Sequence, residues 1–577
     1  MSAVAHVVIA PILVPLLTGT LLVLLRGSAT PLRRTLSMLG VQVLLGVSLW
    51  LLLQVADGEI LVYPLGRWAA PHGIVLVADR LAAGMVLLTS VLALFAMMHA
   101  IQGSDRRGRQ FHVLFQFLLM GLNGAFLTGD LFNLFVFFEI LLLASYGLLL
   151  HGGGAARSRA GLHYVVINLV GSSLFLFAVG TLYGVLGTLN MADLAQRVAA
   201  LDADDLGLVR AAALLLFVVF ALKAALAPLH LWLPGAYAAA GPAAAALFAI
   251  MTKVGAYAIL RVHGLIFGAD AGPLAGLVDP WLLVLGLVTV VVGTLGALAS
   301  QRLALLVSHL VVVSAGSILT AFGLGGEAAL AAGLYYSFQS TLVAAALFML
   351  TENVARTRGA FGDELRAGPM LPAANLLGGL FLVLALAVAG LPPLSGFIGK
   401  LLILQASVGS PALPWVMVIV LSTGLVTLMI LARAGSTLFF KTDTHAGAAT
   451  LPDVTKLVPV AALAGISLLF VVFARPIHDY ARAAAGQLVS PAGYLDAVLS
   501  PGPAAAATPA AAAAPVAAPV AAPVAAPAAA PAAAAAPVAA PTATPAPTAA
   551  PVAAELAAPW GEPTLIDQSP QAMSARR

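Results

Sequence analysis

Three lysines and one glutamate stand where charge is expensive. Glu139 lies in the apolar run LFNLFVFFEILLLASYG (131–147), Lys223 in ALKAALAPLHLWLPGAY (221–237), Lys253 in ALFAIMTKVGAYAILRV (246–262) and Lys400 in AGLPPLSGFIGKLL (389–402). A charged side chain at the centre of a bilayer costs about 2.5–3.5 kcal/mol even on the lenient insertion scale, so such residues usually mark ion or proton pathways. Desolvation lets a buried lysine give up its proton, and a neighbouring carboxylate reverses that. A Glu–Lys pair that opens and closes is therefore a proton switch, and a row of lysines bridged by histidine and water is a relay. His230 is a further expected member, with His309 and Gln339 as additional candidates. Plainer readings of the same residues are an ion pair clipping two helices for Glu139 and Lys223, snorkelling for Lys253 and Lys400, and capping of freed carbonyls for His230.

The elements that must position these residues are membrane helices. Of 577 residues, 61% are hydrophobic and 9% charged, with a mean hydropathy of +1.04; a soluble domain carries about 25% charge. About 14 apolar runs are long enough to span a bilayer, near 5–25, 36–54, 75–99, 112–128, 130–150, 162–186, 211–235, 243–266, 280–299, 303–323, 328–351, 374–406, 414–438 and 457–474. The fold class expected is an all-α polytopic membrane protein with two broken helices, one at Pro228 and one at Pro392-Pro393. Backbone groups freed by those prolines need water or protein partners, which places the breaks beside a hydrated cavity. The broken spans run in opposite directions, as an inverted repeat of five helices would give. The expected divisions are an N-terminal helical region (1–110), repeat one (111–267), repeat two (280–440), a last span with an interfacial segment (441–500) and a low-complexity tail (501–577). A short amphipathic helix is expected at 191–200, and Asp79 with Arg80 reads as an interfacial pair.

Basic residues concentrate after odd-numbered spans (Arg33 and Arg34, Arg106 and Arg107, Arg157 and Arg159, Arg302, Arg356 and Arg358), which puts those loops in the cytoplasm and both termini outside. The tail from Pro501 is nearly all Ala, Pro, Val and Thr and reads as an extended, disordered segment. There is no cysteine, no carboxylate cluster suggesting a Na⁺ site, and no GxxxxGK[ST] loop, so neither cofactor, metal nor ATP is expected.

At these residues the chain resembles the antiporter-type subunits shared by respiratory complex I and the Mrp-type (Pha/Mnh) multisubunit cation/proton antiporters. The block KAALAPLHLWLPGAY followed by ALFAIMTKVGAYAILRV carries the resemblance, and DLFNLFVFFEILLLASYG, STLVAAALFML and the ending GQLVSPAGYLDAVL (486–499) are similar to the D-type subunit of the Mrp antiporters. The resemblance implies that Glu139, Lys223, Lys253 and Lys400 form the proton path of a Na⁺ or K⁺/proton antiporter subunit in a bacterial inner membrane, working with partner subunits. The alternative is a proton-pumping membrane subunit of an NADH–quinone oxidoreductase, against which Val343 stands where those subunits tend to carry lysine. Two positions depart from the family pattern: Gly235 replaces the aspartate after WLP, and Gln339 replaces a histidine before Ser-Thr-Leu. Glutamine cannot carry a proton as histidine does, so water or His309 would have to join Lys253 to Lys400.

Overall fold

A computed structural model describes residues 5–25, 27, 29–108, 110–443 and 449–500; the tail from Pro501, expected to be disordered, lies outside the described residues. The chain enters through α1 (Ala10–Leu24) and α2 (Thr30–Val55), then makes an antiparallel hairpin of β1 (Leu61–Pro64) and β2 (Val75–Ala78) before α3 (Arg80–Ala100). Residues 75–78 read as the start of a span because they are uniformly apolar. They are instead strand, because Asp79 caps α3 by accepting from the Ala82 amide at 2.9 Å and so fixes the helix start at Arg80.

A tight turn joins α4 (Phe111–Leu127) to α5 (Leu131–Leu150), where Asp130 caps α5 through the Asn133 amide at 2.8 Å. After α6 (Ala155–Leu186) comes the expected amphipathic helix, α7 (Met191–Ala199). The seventh span is α8 (Leu206–Ala224), an irregular stretch around Pro228, and α9 (Trp232–Ala239). The eighth is also interrupted, into α10 (Pro242–Phe248) and α11 (Met251–Leu265), without any proline at the break. There the Tyr237 hydroxyl donates to the freed Phe248 carbonyl at 2.8 Å. The fold thus has a third broken span beyond the two expected.

The remainder is α12 (Asp279–Ala299), α13 (Leu303–Leu324), α14 (Gly326–Thr357), the broken pair α15 (Ala374–Ala389) and α16 (Ser395–Ala406), then α17 (Leu413–Phe439), α18 (Val454–Val472), α19 (Ala474–Val489) and α20 (Ala492–Leu499). Among the described residues, 11 helical segments are long and apolar enough to cross a membrane, and four shorter apolar helices (α1, α4, α15, α16) lie where further spans are expected. This is a multi-pass membrane protein. Its layers differ in enclosure: the apolar windows of α10–α11 and of α14 are 100% buried and that of α13 89%, against 33% for α2 and α17. The buried polar residues Lys253, Ser314 and Gln339 sit on those inner helices, since a charge or hydroxyl facing lipid would go unsatisfied.

The expected Asp79–Arg80 pair is not formed. Asp79 accepts both guanidinium arms of Arg261, at 2.7 and 2.8 Å, from the far end of α11. Arg80 turns outward to the Ala56 carbonyl at 2.8 Å. Both members of the Asp79–Arg261 pair are buried, and in a low dielectric a charge must be paired in this two-pronged way. The Tyr494 ring of α20 lies 5.2 Å from the same guanidinium, so the GQLVSPAGYLDAVL ending docks onto the pair.

Candidate functional site

Glu139 is half-buried on α5 and accepts a hydrogen bond from the Ser172 hydroxyl of α6. Lys223 is buried in the last turn of α8 and donates to Asn168 Oδ1 of α6 at 3.0 Å. The two expected partners therefore make no direct ion pair. One polar face of α6 stands between them. Lys223 also benefits from its position, because the carbonyl end of a helix carries partial negative charge.

The break after Lys223 is satisfied by protein. The Ala227 amide donates to Thr289 Oγ1 of α12 at 2.8 Å, and Trp232 Nε1 donates to the Leu222 carbonyl at 3.0 Å. Pro228 opens the helix as expected, but these two freed groups need no water. His230 follows in the irregular stretch, buried, with Nδ1 lacking a partner, and His309 of α13 lies close enough to act on it electrostatically. The His309 Nδ1–H donates to the Leu305 carbonyl at 3.0 Å, which fixes its tautomer. Its ring packs against Gly296, where any Cβ would stand 2.1 Å from Cδ2.

Lys253 sits in the first turn of α11, just past the Phe248 break, and donates to Ser314 Oγ of α13 at 3.0 Å. Here the helix presents amide N–H groups, whose partial positive charge opposes an ammonium. Lys400 reaches from α16 across its own break to the carbonyls of Val388 at 3.2 Å and Ala389 at 2.8 Å, the negative end of α15. The side chain lies over Gly390, at φ 79°, where a Cβ would meet Lys400 Cδ at 2.6 Å.

Between Lys253 and Lys400 lies a cavity of about 20 Å³, room for about one water. Its wall includes Ser314, which holds Lys253; Val388, which holds Lys400; and Tyr336, Gln339 and Ser340 of α14. Gln339 Oε1 is buried without a protein partner. Gln339 thus lines the space between the two lysines. Pro392 and Pro393 lie in the α15–α16 connection that brings the Val388 and Ala389 carbonyls to Lys400.

A larger vestibule of about 930 Å³ opens at the arginine-rich end. Arg107, Arg157, Arg159, Arg302 and Arg356 outnumber Glu352 and Asp363 on its wall, and it reaches Leu305, the carbonyl that holds His309. Glu352 is bound there by Arg107 at 2.8 Å, Arg356 at 2.7 Å and His99 at 2.8 Å. Among the described residues, no group of three or more His, Cys, Asp or Glu side chains could hold a metal ion.

Sequence reasoning missed the hydroxyl and amide partners Asn168, Ser172, Thr289 and Ser314. For the first two a signal exists: a polar pair four residues apart in an otherwise apolar helix (NLVGS, 168–172) marks one face at helical period.

Comparison with known proteins shows the family. The chain is 41% identical over 530 residues to the probable D-type subunit of a K⁺/H⁺ antiporter from Rhizobium meliloti (strain 1021), covering 86% of this chain and 98% of that one. It is 38% identical over 499 residues to the D-type subunit of a Na⁺/H⁺ antiporter from Alkalihalophilus pseudofirmus, covering 86% and 99%. In structure it is similar to a chain of the Mrp complex from Dietzia sp. DQ12-45-1b, with a TM-score of 0.78 at 27% identity, covering 86% of this chain and all of that one. Residues 128–427, which include Glu139, Lys223, Lys253 and Lys400, match the family described as NADH:quinone oxidoreductase/Mrp antiporter, TM, and the chain belongs to that family, with D-type antiporter subunits among its relatives.

Proposed function

We propose that this chain is the D-type membrane subunit of a multisubunit monovalent cation/proton antiporter and conducts protons through Glu139, Lys223, Lys253 and Lys400. The observation that carries this reading is the run of hydrogen-bonding groups from Ser172 to Val388, in which Lys223, Lys253 and Lys400 each have a protein acceptor and the space at Gln339 has room for a water. Protons arrive from the arginine-rich vestibule by way of His309 and His230, pass Lys223 and Lys253, and reach Lys400 through a water beside Gln339. The alternation of helix ends suits a relay: Lys223 and Lys400 sit at carbonyl ends that favour charge, and Lys253 at an amide end that does not. The concentration of basic residues in one set of loops supports a reading in which the vestibule faces the cytoplasm of a bacterium, the chain lies in the inner membrane and both termini are outside. The cation is Na⁺ or K⁺, as in the two relatives, and its passage depends on partner subunits. Everted vesicles of an antiporter-deficient strain, carrying the assembled complex, test this by the collapse of a pH gradient on adding Na⁺ or K⁺. Lys223→Ala and Glu139→Ala abolish the collapse; wild-type exchange by either variant sinks the relay.

A further inference from the structure

We propose that Asn168 and Ser172 form a two-point latch on α6 that holds Glu139 and Lys223 apart until the relay fires. The inference rests on the relay reading and adds a positioning element to it. Ser172 donates to Glu139, and Asn168 accepts from Lys223 at 3.0 Å. The two residues are one helical turn apart, so a single rigid face engages both members of the pair. The amide of Asn168 cannot turn freely: its Nδ2 donates to the Tyr164 carbonyl at 2.8 Å, which aims Oδ1 at Lys223. Asn168 is fully buried and Ser172 nearly so, so water does not replace either bond cheaply.

Gly171 lies between them, and a Cβ there would stand 2.7 Å from Leu222 Cδ2 and 3.8 Å from Lys223 Nζ. The missing side chain lets α8 come close enough for the Lys223–Asn168 bond. Other titratable groups on the elements packed against the pair include Tyr146 on α5, which feels the Glu139 charge, Tyr164 on α6, and Lys253 and His263 on α11, the helix whose Gly255 lies against the Lys223 backbone and whose His263 packs on Phe217 and Phe220. Tyr164 is engaged by Ser145 at 3.0 Å, and Lys253 by Ser314, so neither competes for the latch.

In the latched state each charge has a neutral partner. Closing the pair requires Lys223 to leave the Asn168 oxygen and Glu139 to leave the Ser172 hydroxyl, whereupon ammonium and carboxylate meet. The latch therefore favours the open arrangement by the two bonds it makes. Removing one bond moves the open–closed balance about tenfold towards the closed pair, the equivalent of ~1.4 kcal/mol. A lysine that spends more time beside a carboxylate holds its proton to higher pH, so the pH of half-maximal exchange moves up, by at most about one unit for a tenfold change.

The test is cation-driven proton exchange by the assembled complex in everted vesicles, measured across pH, with the amount of complex read by immunoblot. Asn168→Ala and Ser172→Ala each displace the profile to more alkaline pH, and Ser172→Thr, which keeps the hydroxyl, brings it back towards wild type. If Asn168→Ala fails to assemble, Asn168→Ser, shorter but still an acceptor, tests the same bond and gives a smaller displacement. A purely structural role lowers the amount of complex and leaves the profile of what remains unmoved; that result, in Asn168→Ser and Ser172→Ala, overturns the latch. Lys223→Ala separates the two claims. Loss of exchange in Lys223→Ala together with unmoved profiles in the α6 variants refutes the latch alone, whereas normal exchange in Lys223→Ala refutes the relay beneath it.

Discussion

Replacing Arg261 by methionine tests whether the Asp79 pair holds the N-terminal helices to α11. The substitution keeps much of the side-chain volume and removes the guanidinium. Asp79 then loses bonds of 2.7 and 2.8 Å and keeps its cap on Ala82. Tyr257 loses a donor but retains its bond to the Phe126 carbonyl at 2.6 Å, and Tyr494 loses the cation beneath its ring. Breaking a buried ion pair from one side costs about 3–5 kcal/mol, because the remaining charge stays buried and uncompensated. Unfolding entropy near ~2.1 cal/mol/K per residue, over about 500 residues, converts ~4 kcal/mol into a fall of about 4 °C in Tm. The assay is a thermal shift of the detergent-solubilised complex, followed by size-exclusion chromatography, on Arg261→Met, Asp79→Asn and the double variant. Because the double variant leaves no orphan charge, it recovers most of the loss and gives a coupling energy above ~2 kcal/mol. A fall under about 1 °C in Arg261→Met, or a double variant equal to the sum of the singles, refutes the argument.

Four further outcomes follow from distances. Gly255→Ala places a Cβ 2.4 Å from the Ala224 amide nitrogen and 2.7 Å from the Lys223 carbonyl carbon; backbone cannot yield as a side-chain tip does, so overpacking of about 1–3 kcal/mol separates α11 from α8 and exchange falls, as vesicle assays will read. Thr289→Val leaves the Ala227 amide without its acceptor, lowering stability by about 1–3 kcal/mol in the same thermal-shift assay. Gln339→Leu removes a polar wall of the cavity between Lys253 and Lys400, and exchange drops at least tenfold while the complex still assembles; unchanged exchange would place the proton path elsewhere. Burial alone would raise the Asp105 carboxyl, but hydrogen bonds from His112 and from Arg34 outweigh it and hold the group below the usual carboxylate range. A depressed carboxylate contributes stability that is fully present above its unfolded value and disappears as pH falls through the folded one, so this contribution persists to about pH 4 and is lost below it; Asp105→Asn abolishes that acid-dependent component of the Tm.

What was legible in the sequence follows from local rules. Apolar runs gave helices because lipid admits little else, and Pro228 and Pro392-Pro393 marked breaks because proline cannot continue a helix. The break between α10 and α11 has no such mark; it is stabilised from outside by the Tyr237 hydroxyl on Phe248. Residues 75–78 misled because an apolar strand and the start of an apolar helix look alike. Arg80 misled because it is adjacent to Asp79, whereas the true partner is 182 residues away. At the site, Glu139, Lys223, Lys253 and Lys400 were visible as charges out of place, but their immediate partners are neutral. Asn168, Ser172 and Ser314 carry no such flag, and only packing reveals which lysine or carboxylate each one holds.

The complete enclosure of α14 has a consequence for how such subunits diversify. Its apolar window offers nothing to lipid or to a neighbouring subunit, so partner choice has to be written on peripheral faces such as α2, α6, α12 and α17, which bear exposed residues including Leu53, Phe177, Trp281 and Leu425. Gln339 and the cavity it lines belong to the inner layer. A substitution on those outer faces therefore changes which assembly accepts the subunit without touching the space between Lys253 and Lys400.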